Sequence, residues 1–257
     1  MADPAPLRVT VVGCAPAYTL RPGRPSSCYL VEAEGTAILL DLGQGSFSAL
    51  GPFIDPATLD AVFVSHLHPD HHADLVPLRH YLRYACDPPA TVALHAPAEL
   101  RSRYDALLGE PGFLDGLPGS DVSPGVTQVG ALAVDARPVT HATQSHAFRV
   151  TRVDGAGPGL VYSGDCGRAD DLLPIVRPTD TLLCEASWGS SEAPAEGGAL
   201  HLTAAQAADV AKRTGAARLI LTHVLDERDP DGALAQAQRL FDGPVALAEP
   251  GMILEVD

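Results

Sequence analysis

The stretch that most restricts what this chain can become is Ala61 to Leu75, AVFVSHLHPDHHADL. Ala61-Val62-Phe63-Val64 is a short apolar run rich in β-branched residues and reads as a buried strand. It runs directly into Ser65-His66-Leu67-His68-Pro69-Asp70-His71. Pro69 stops the strand and suits the first turn of a helix, so a helix is expected to begin in the segment that follows, its N-terminus at the strand's end. His66 and His68 flank Leu67 and point the same way in extended backbone, while Asp70 and His71, past the turn, close on them from the side. Imidazole and carboxylate suit Zn, Mn or Fe, and four such donors within six positions exceed the need of one ion. The cluster therefore predicts two divalent metal ions, Zn2+ first, with Mn2+ or Fe2+ as the other choices.

The 257 residues give room for a sizeable core, and with no linker, repeat or low-complexity tract they are read as one domain over 1–257. A composition of 46 % hydrophobic and 19 % charged residues is that of a globular chain. The formal net charge of −15 repels polyanions, which disfavours long RNA or DNA as a partner. Cys14, Cys28, Cys86, Cys166 and Cys184 are odd in number and scattered, as expected of reduced thiols. The opening MADPAPLRVTVVG has neither a basic nor a long apolar leader region, and no apolar run approaches the roughly 20 residues that span a bilayer. No membrane partner and a cytoplasmic location are the expectations.

In order, strands are expected at Leu7 to Val12, Cys28 to Glu32 and Ala37 to Leu40, a meander that opens a sheet. A short helix follows at Ser46 to Leu50, and after the histidine cluster a longer one runs to about Tyr84. Val92 to His95 is a strand, then comes a helix ending before Gly109, and Gly109 to Gly130 is a loop-rich stretch able to cover a site. Further strands are expected at Leu132 to Val139, from Ser145, at Leu160 to Ser163, Thr181 to Glu185, Arg218 to Thr222, Val245 to Ala248 and Met252 to Val256. Thr203 and Gln206 fit a capping box opening an Ala-rich helix to Thr214, with Gly215 as its stop, and a last helix spans about Asp231 to Phe241.

Ligand-type residues recur where these strands end. Asp41, beside Leu42-Gly43, is either a turn residue or a carboxylate that fixes a ligand imidazole from behind, the reading we favour. His141 and His146 compete for one ligand role; His141 ends its strand as His68 does, and His146 is then a candidate substrate contact together with Ser27. Asp165 sits between glycines in Gly164-Asp165-Cys166-Gly167, where a carboxylate can approach two ions 3.5–4 Å apart and bridge them. Glu185 ends a strand, His201 precedes a helix in an anchored, lid-like position after the Gly189 to Gly198 loop, and His223 follows the strand ending at Thr222.

The pattern His-x-His-x-Asp-His resembles the metal-binding signature of the metallo-β-lactamase superfamily. Asp41 matches its first motif by position, and the His141-to-Arg149 spacing resembles the third motif of the ribonuclease Z-like branch, which selects His141 over His146. In that branch a Glu in His-Glu-Ala-Thr and a His before the following helix assist proton transfer; Glu185 and His201 occupy those places, with Cys184 where the branch has His, a departure that counts against ribonuclease activity. LLCEASW, YSGDCG, HLTAAQAADVAK, RLILTHV and FDGPV are similar to bacterial atypical class II cyclic nucleotide phosphodiesterases, a likeness running from Leu7 to about Val245. The resemblance implies an α/β (α+β) fold, a four-layer αββα sandwich with the metals at the sheet ends. We assign His66, His68 and His141 to one metal, Asp70, His71 and His223 to the other, and Asp165 to both. Two close cations bring a shared water to near neutrality and stabilise the attacking and leaving oxygens of an in-line displacement; Asp70 orients that nucleophile, and Glu185 with His201 protonates the leaving oxygen. The expected function is hydrolysis of a small cyclic nucleotide such as cAMP. The alternatives are a tRNA 3′-processing endonuclease, a lactone or thioester hydrolase, and a metal-binding module without turnover, which the intact ligand set opposes. Self-association as a homodimer is left open.

Overall fold

A computed structural model describes residues 6–155, 157–192 and 200–257. Its first sheet is six-stranded. β1 (Leu7–Gly13), β2 (Cys28–Ala33) and β3 (Thr36–Leu40) form the expected antiparallel meander. β4 (Ala61–Phe63) and β5 (Ala93–His95) are added in parallel. The second sheet is seven-stranded. β6 (Gly125–Val129), β7 (Leu132–Val139), β8 (Ser145–Arg152) and β9 (Leu160–Tyr162) pair antiparallel, and β10 (Thr181–Glu185), β11 (Arg218–Thr222) and β12 (Val245–Leu247) continue in parallel. The chain then crosses back, and β13 (Ile253–Val256) pairs with β1 in the first sheet.

The central strands of both sheets are buried on both faces, and their alternation divides their residues between three apolar layers. Val9, Tyr29, Ile38, Phe63, Phe148, Leu183 and Ile220 meet between the sheets. Leu30, Leu39 and Val62 point outward against α1 (Ser46–Leu50), α2 (Leu75–Tyr84) and α3 (Leu100–Leu108). Leu182, Cys184, Leu219 and Leu221 point the other way against α4 (Ala204–Thr214) and α5 (Pro230–Leu240). Each fully buried Leu, Ile or Phe side chain contributes about 1.5–3 kcal/mol, so the αββα sandwich is the arrangement in which both faces of the central strands are covered. No helix among the described residues is long and apolar enough to cross a membrane.

Two expectations change. The helix after the histidine cluster is two pieces, a 3-10 turn at Pro69–His71 and then α2. Backbone bonds from Leu42 N–H to the His71 carbonyl and from Asp74 N–H to the Leu42 carbonyl pin the intervening residues to the loop after β3, so the helix cannot run through. The Gly109 to Gly130 stretch does not cover the metal cluster; Phe113, Leu114 and Leu117 pack in the outer layer with α2 and α3, and the stretch ends in β6. The capping box of α4 is present as expected, with Thr203 Oγ1 accepting from Gln206 N–H and the Gln206 side chain accepting from Thr203 N–H.

Candidate metal centre

Six of the loops that follow strands meet at one end of the sandwich: after β3 (Asp41), β4 (His66 to His71), β7 (His141), β9 (Asp165), β10 (Ser187) and β11 (His223). Parallel strands all present the same end to this edge, which is why residues so distant in sequence arrive together. The approach needs glycine in two places. A Cβ at Gly164, whose φ is +55°, would lie 2.6 Å from the His146 carbonyl, and one at Gly43 would collide with the Asp70 carbonyl. Asp41 and His223 themselves occupy the left-handed region, with φ of 61° and 56°, a conformation that surrounding bonds must hold in place.

Two groups of donors result, and a third set, Asp165, His201 and His223, overlaps them. His66, His68, His141 and Asp165 form the first, and Asp70, His71 and His223 the second. In the first, His68 Nδ1 lies 3.0 Å from His66 Nε2 and 3.1 Å from His141 Nε2. Asp165 Oδ2 is 3.6 Å from His66 Nε2 and 3.7 Å from His141 Nε2. In the second, Asp70 Oδ2 is 3.0 Å from His223 Nε2 and 3.4 Å from His71 Nε2. Asp165 turns its other oxygen, Oδ1, to this group, 3.4 Å from His71 Nε2 and 3.7 Å from His223 Nε2. A tetrahedral cation with metal–nitrogen bonds of about 2.0–2.1 Å holds its donors about 3.3 Å apart, and the observed spacings bracket that value.

Burial supports the fit. His71 Nε2 and Asp165 Oδ1 are buried with no hydrogen-bond partner among the described residues, and both belong to the gap between the donor groups. Buried polar atoms without partners are costly, and a cation would satisfy both. Burial also lowers the pKa of His66, His68 and His141, leaving them neutral and able to ligate. Burial works against the charged forms of His71 and Asp165 as well, but their mutual attraction prevails: His71 is held well above the ordinary histidine range by Asp165 and Asp41, and Asp165 well below the carboxylate range by His223, His71 and His66. Asp70 is likewise depressed against its burial by His223 and His71. The carboxylates are thus ionised whenever the imidazoles are in place.

Behind the donors sits a layer that fixes their tautomers. His71 Nδ1–H donates to Asp41 Oδ2 at 2.7 Å, a contact that holds the ring in place. Asp41 also accepts from Ser65 N–H (2.7 Å), Ser65 Oγ–H (2.8 Å) and Tyr162 O–H (2.7 Å). His141 Nδ1–H donates to the Leu200 carbonyl at 2.8 Å, and His223 Nδ1–H to Ser187 Oγ at 2.9 Å. Ser187 Oγ–H in turn donates to Glu185 Oε2 at 2.7 Å. Glu185 is fully buried, and its Oε1 accepts from Cys166 N–H at 2.7 Å and from His201 Nδ1–H at 3.0 Å. Burial lowers the pKa of His201, but the Glu185 carboxylate prevails and raises it to about 9. Ser65, Tyr162 and Ser187 were not singled out in the sequence. Ser187 had one legible signal, its placement two residues after Glu185 in the loop that leaves β10.

Two expected residues stand elsewhere. Ser27 is fully buried, and its Oγ has no partner among the described residues. His146 is 1 % exposed on β8, its backbone N–H donating to the Ser65 carbonyl, and it belongs to neither donor group. Both are closed to solvent and do not line the cavity over the donors, so neither is placed to touch substrate. Cys184 faces the outer layer under α4, so the identity of that residue has no direct access to the site. The Gly189 to Gly198 loop, expected to carry His201 in a lid-like position, lies outside the described residues at 193–199. The cavity itself measures about 310 Å³ and is lined by His68, Asp70, Asp165, Ser187, His201 and His223 on its polar side and by Pro16, Ala17, Pro69 and Leu225 on its apolar side.

Residues 36–224 match the family model described as the beta-lactamase superfamily domain. An uncharacterised protein of Mycobacterium tuberculosis is 36 % identical over 249 residues, covering 93 % of this chain and 88 % of that one. The probable metallo-hydrolase YhfI of Bacillus subtilis is 25 % identical over 252 residues, covering 97 % of this chain and 100 % of YhfI, and its crystal structure superposes with a TM-score of 0.83 at 26 % identity over 97 % of this chain and 99 % of YhfI. Ribonuclease Z of Haloferax volcanii is 25 % identical over 303 aligned positions, covering 97 % of this chain and 95 % of the ribonuclease.

Proposed function

This chain belongs to the metallo-β-lactamase superfamily and is a metal-dependent hydrolase of that fold, related to ribonuclease Z; on that premise we propose that its substrate is a small cyclic nucleotide of the cAMP type, opened by hydrolysis of one phosphodiester bond. The observation that carries the reading is the division of the Asp165 carboxylate, one oxygen toward each donor group. A phosphodiester carries its charge on oxygens that a two-cation site can hold from both sides.

His66, His68 and His141 would hold one cation, Asp70, His71 and His223 the other, and Asp165 would serve both. The donor set contains only nitrogen and oxygen, for which Zn2+ is our choice over Mn2+ or Fe2+. When bound, two such cations supply Lewis-acid activation of water and neutralise charge on the phosphate. The remaining work falls to side chains. Asp70 is ionised and accepts a hydrogen bond from the attacking water, which aims it. His201 has its Nδ1–H committed to Glu185, so the proton it can give the leaving ribose oxygen is on Nε2. Glu185 keeps His201 protonated at neutral pH and is itself anchored by Ser187 and Cys166.

Small substrates are favoured over RNA for three reasons. The net charge of −15 opposes a polyanion. The ribonuclease Z alignment occupies more positions than this chain has residues, so the ribonuclease carries insertions with no counterpart here. The cavity of about 310 Å³ is of the size that takes one nucleotide-sized ligand. The kinship with ribonuclease Z supports tRNA 3′-end processing as the second reading. A turnover panel of purified protein with Zn2+ or Mn2+ decides between them: 3′,5′-cAMP, 2′,3′-cAMP, bis(p-nitrophenyl) phosphate, a lactone and a tRNA precursor. Preferential hydrolysis of a cyclic nucleotide is expected; preferential cleavage of precursor tRNA would reverse the choice.

A further inference from the structure

We propose that Pro16, Ala17 and Leu225 form a preformed apolar slot that selects substrates carrying a planar heteroaromatic group, the nucleobase, beside the phosphate. The proposal rests on the phosphodiesterase reading above and deepens it. These residues line the same cavity as His68, Asp165, His201 and His223, so the cavity has a charged flank suited to phosphate and an apolar one suited to a ring face. Leu225 is half-buried, Ala17 is exposed and Pro16 is buried, so Leu225 and Ala17 supply the contact surface without exposing a large apolar patch.

The two walls are fastened to the donor groups themselves. Leu225 lies two residues past His223, and its N–H donates to the Ser187 carbonyl at 3.4 Å. On the other side, His223 N–H donates to the Cys14 carbonyl at 3.2 Å, two residues before Pro16, and the Ala17 carbonyl accepts from Gln44 Nε2 at 3.0 Å. The segments beyond the slot are then clamped to each other. Tyr18 O–H donates to Glu227 Oε1 at 2.5 Å, Thr19 Oγ1–H to Asp226 Oδ2 at 2.7 Å, and Arg21 Nε stands 3.1 Å from Asp226 Oδ1. The clamp joins the 16–21 loop to the 225–228 turn, the two segments that carry the walls, before substrate arrives. A slot of fixed separation discriminates by shape, since no ordering cost is incurred on binding and a group of the wrong thickness cannot be accommodated.

The test compares 3′,5′-cAMP with the matching 1-deoxyribose 3′,5′-cyclic phosphate, which has the same phosphodiester and no base. Leu225→Asp and, as a milder change that folding should tolerate, Leu225→Ala are measured beside the wild type, with thermal melts and metal content as controls. The expected result is a KM for cAMP raised about tenfold and a preference for cAMP over the base-free compound reduced by a similar factor, consistent with loss of an apolar contact. Tyr18→Phe, which removes one clamp bond, is expected to lower the same preference by about threefold. Equal losses on both substrates, or no change in the preference with any variant, would overturn the slot. A wild type that hydrolyses other phosphodiesters but no cyclic nucleotide would overturn the parent reading, whereas an active wild type whose variants keep their preference overturns the slot alone.

Discussion

Asp165 is the residue on which the proposed site depends, because no other carboxylate among the described residues faces both donor groups. Its replacement by Ala leaves five imidazoles crowded without the charge that holds them together. Asp165→Ala and His68→Ala are each expected to lower turnover by at least about a thousandfold while far-UV circular dichroism stays near the wild type, a loss of the size seen when groups acting in the transition state are removed. Wild-type rates in either variant would refute the ligand assignment. Ser187 is expected to matter at one remove. It receives the His223 Nδ1–H and donates to Glu185, so Ser187→Ala frees one ligand imidazole to rotate and leaves Glu185 short of a donor. Metal affinity, read by competition with a chromogenic chelator, should fall about 10–100-fold, with Ser187→Thr restoring most of it. His201 gives the pH dependence. On the proposed mechanism its protonated form is the donor, and its pKa is raised to about 9, so activity is expected to hold through neutrality and decline as pH rises toward that value; bound cations can only lower it, so the alkaline limb of kcat is expected no higher than about 9. His201→Gln should remove the limb and most of the rate. The donors were legible because each stands where an apolar strand stops, which sequence displays directly. Ser65, Tyr162 and Ser187 were not, since their roles come from contacts such as the one between Tyr162 and Asp41, 121 positions apart. Ser27 and His146 misled for the same reason: polar residues beside a strand look available until the neighbouring layer is known to bury them.

Among the elements, those with local signals came out nearly as read and those governed by distant contacts did not. The α4 helix announces itself through Thr203, Gln206 and Gly215, and all three act as caps. Thr203→Ala should cost about 1 kcal/mol of stability, read as a lower midpoint in urea at unchanged slope. The break between the Pro69–His71 turn and α2 was invisible because it is imposed by Leu42, from a loop about thirty residues earlier. The Gly109 to Gly130 stretch has the composition of a loop, and only the outer face of α2 decides that Phe113 and Leu117 anchor it away from the site. The turn after β9 is the most exacting element. Gly164→Ala would combine a positive φ with a 2.6 Å approach to the His146 carbonyl, so the backbone must shift and carry Asp165 with it. The expected outcome is a protein that folds but binds less than its full complement of metal, measured by plasma emission spectroscopy; full loading would show that the turn adapts without moving the carboxylate.

For the whole molecule, the sandwich brings the ends of parallel strands from both sheets to one edge and so gathers donors from positions 66 to 223. The four layers were implied by the family resemblance, but the pairing of β13 with β1, which returns the end of the chain to the first sheet, could not be read from so short an apolar run. Metal should also stabilise the fold, since the donor groups exist only in the native state. Holding a cation about a hundredfold above its dissociation constant adds about 2.7 kcal/mol, or on the order of 5–10 °C in the melting temperature of a chain this size, and a chelator should remove it. The most direct test of the central claim joins metal count to turnover. Purified protein is stripped with a chelator, titrated with Zn2+ or Mn2+, and assayed on 3′,5′-cAMP at each step. The account predicts no turnover in the stripped protein and recovery that is complete only at two equivalents of metal per chain; full activity in the presence of chelator, or saturation of both binding and activity at one equivalent, would contradict it.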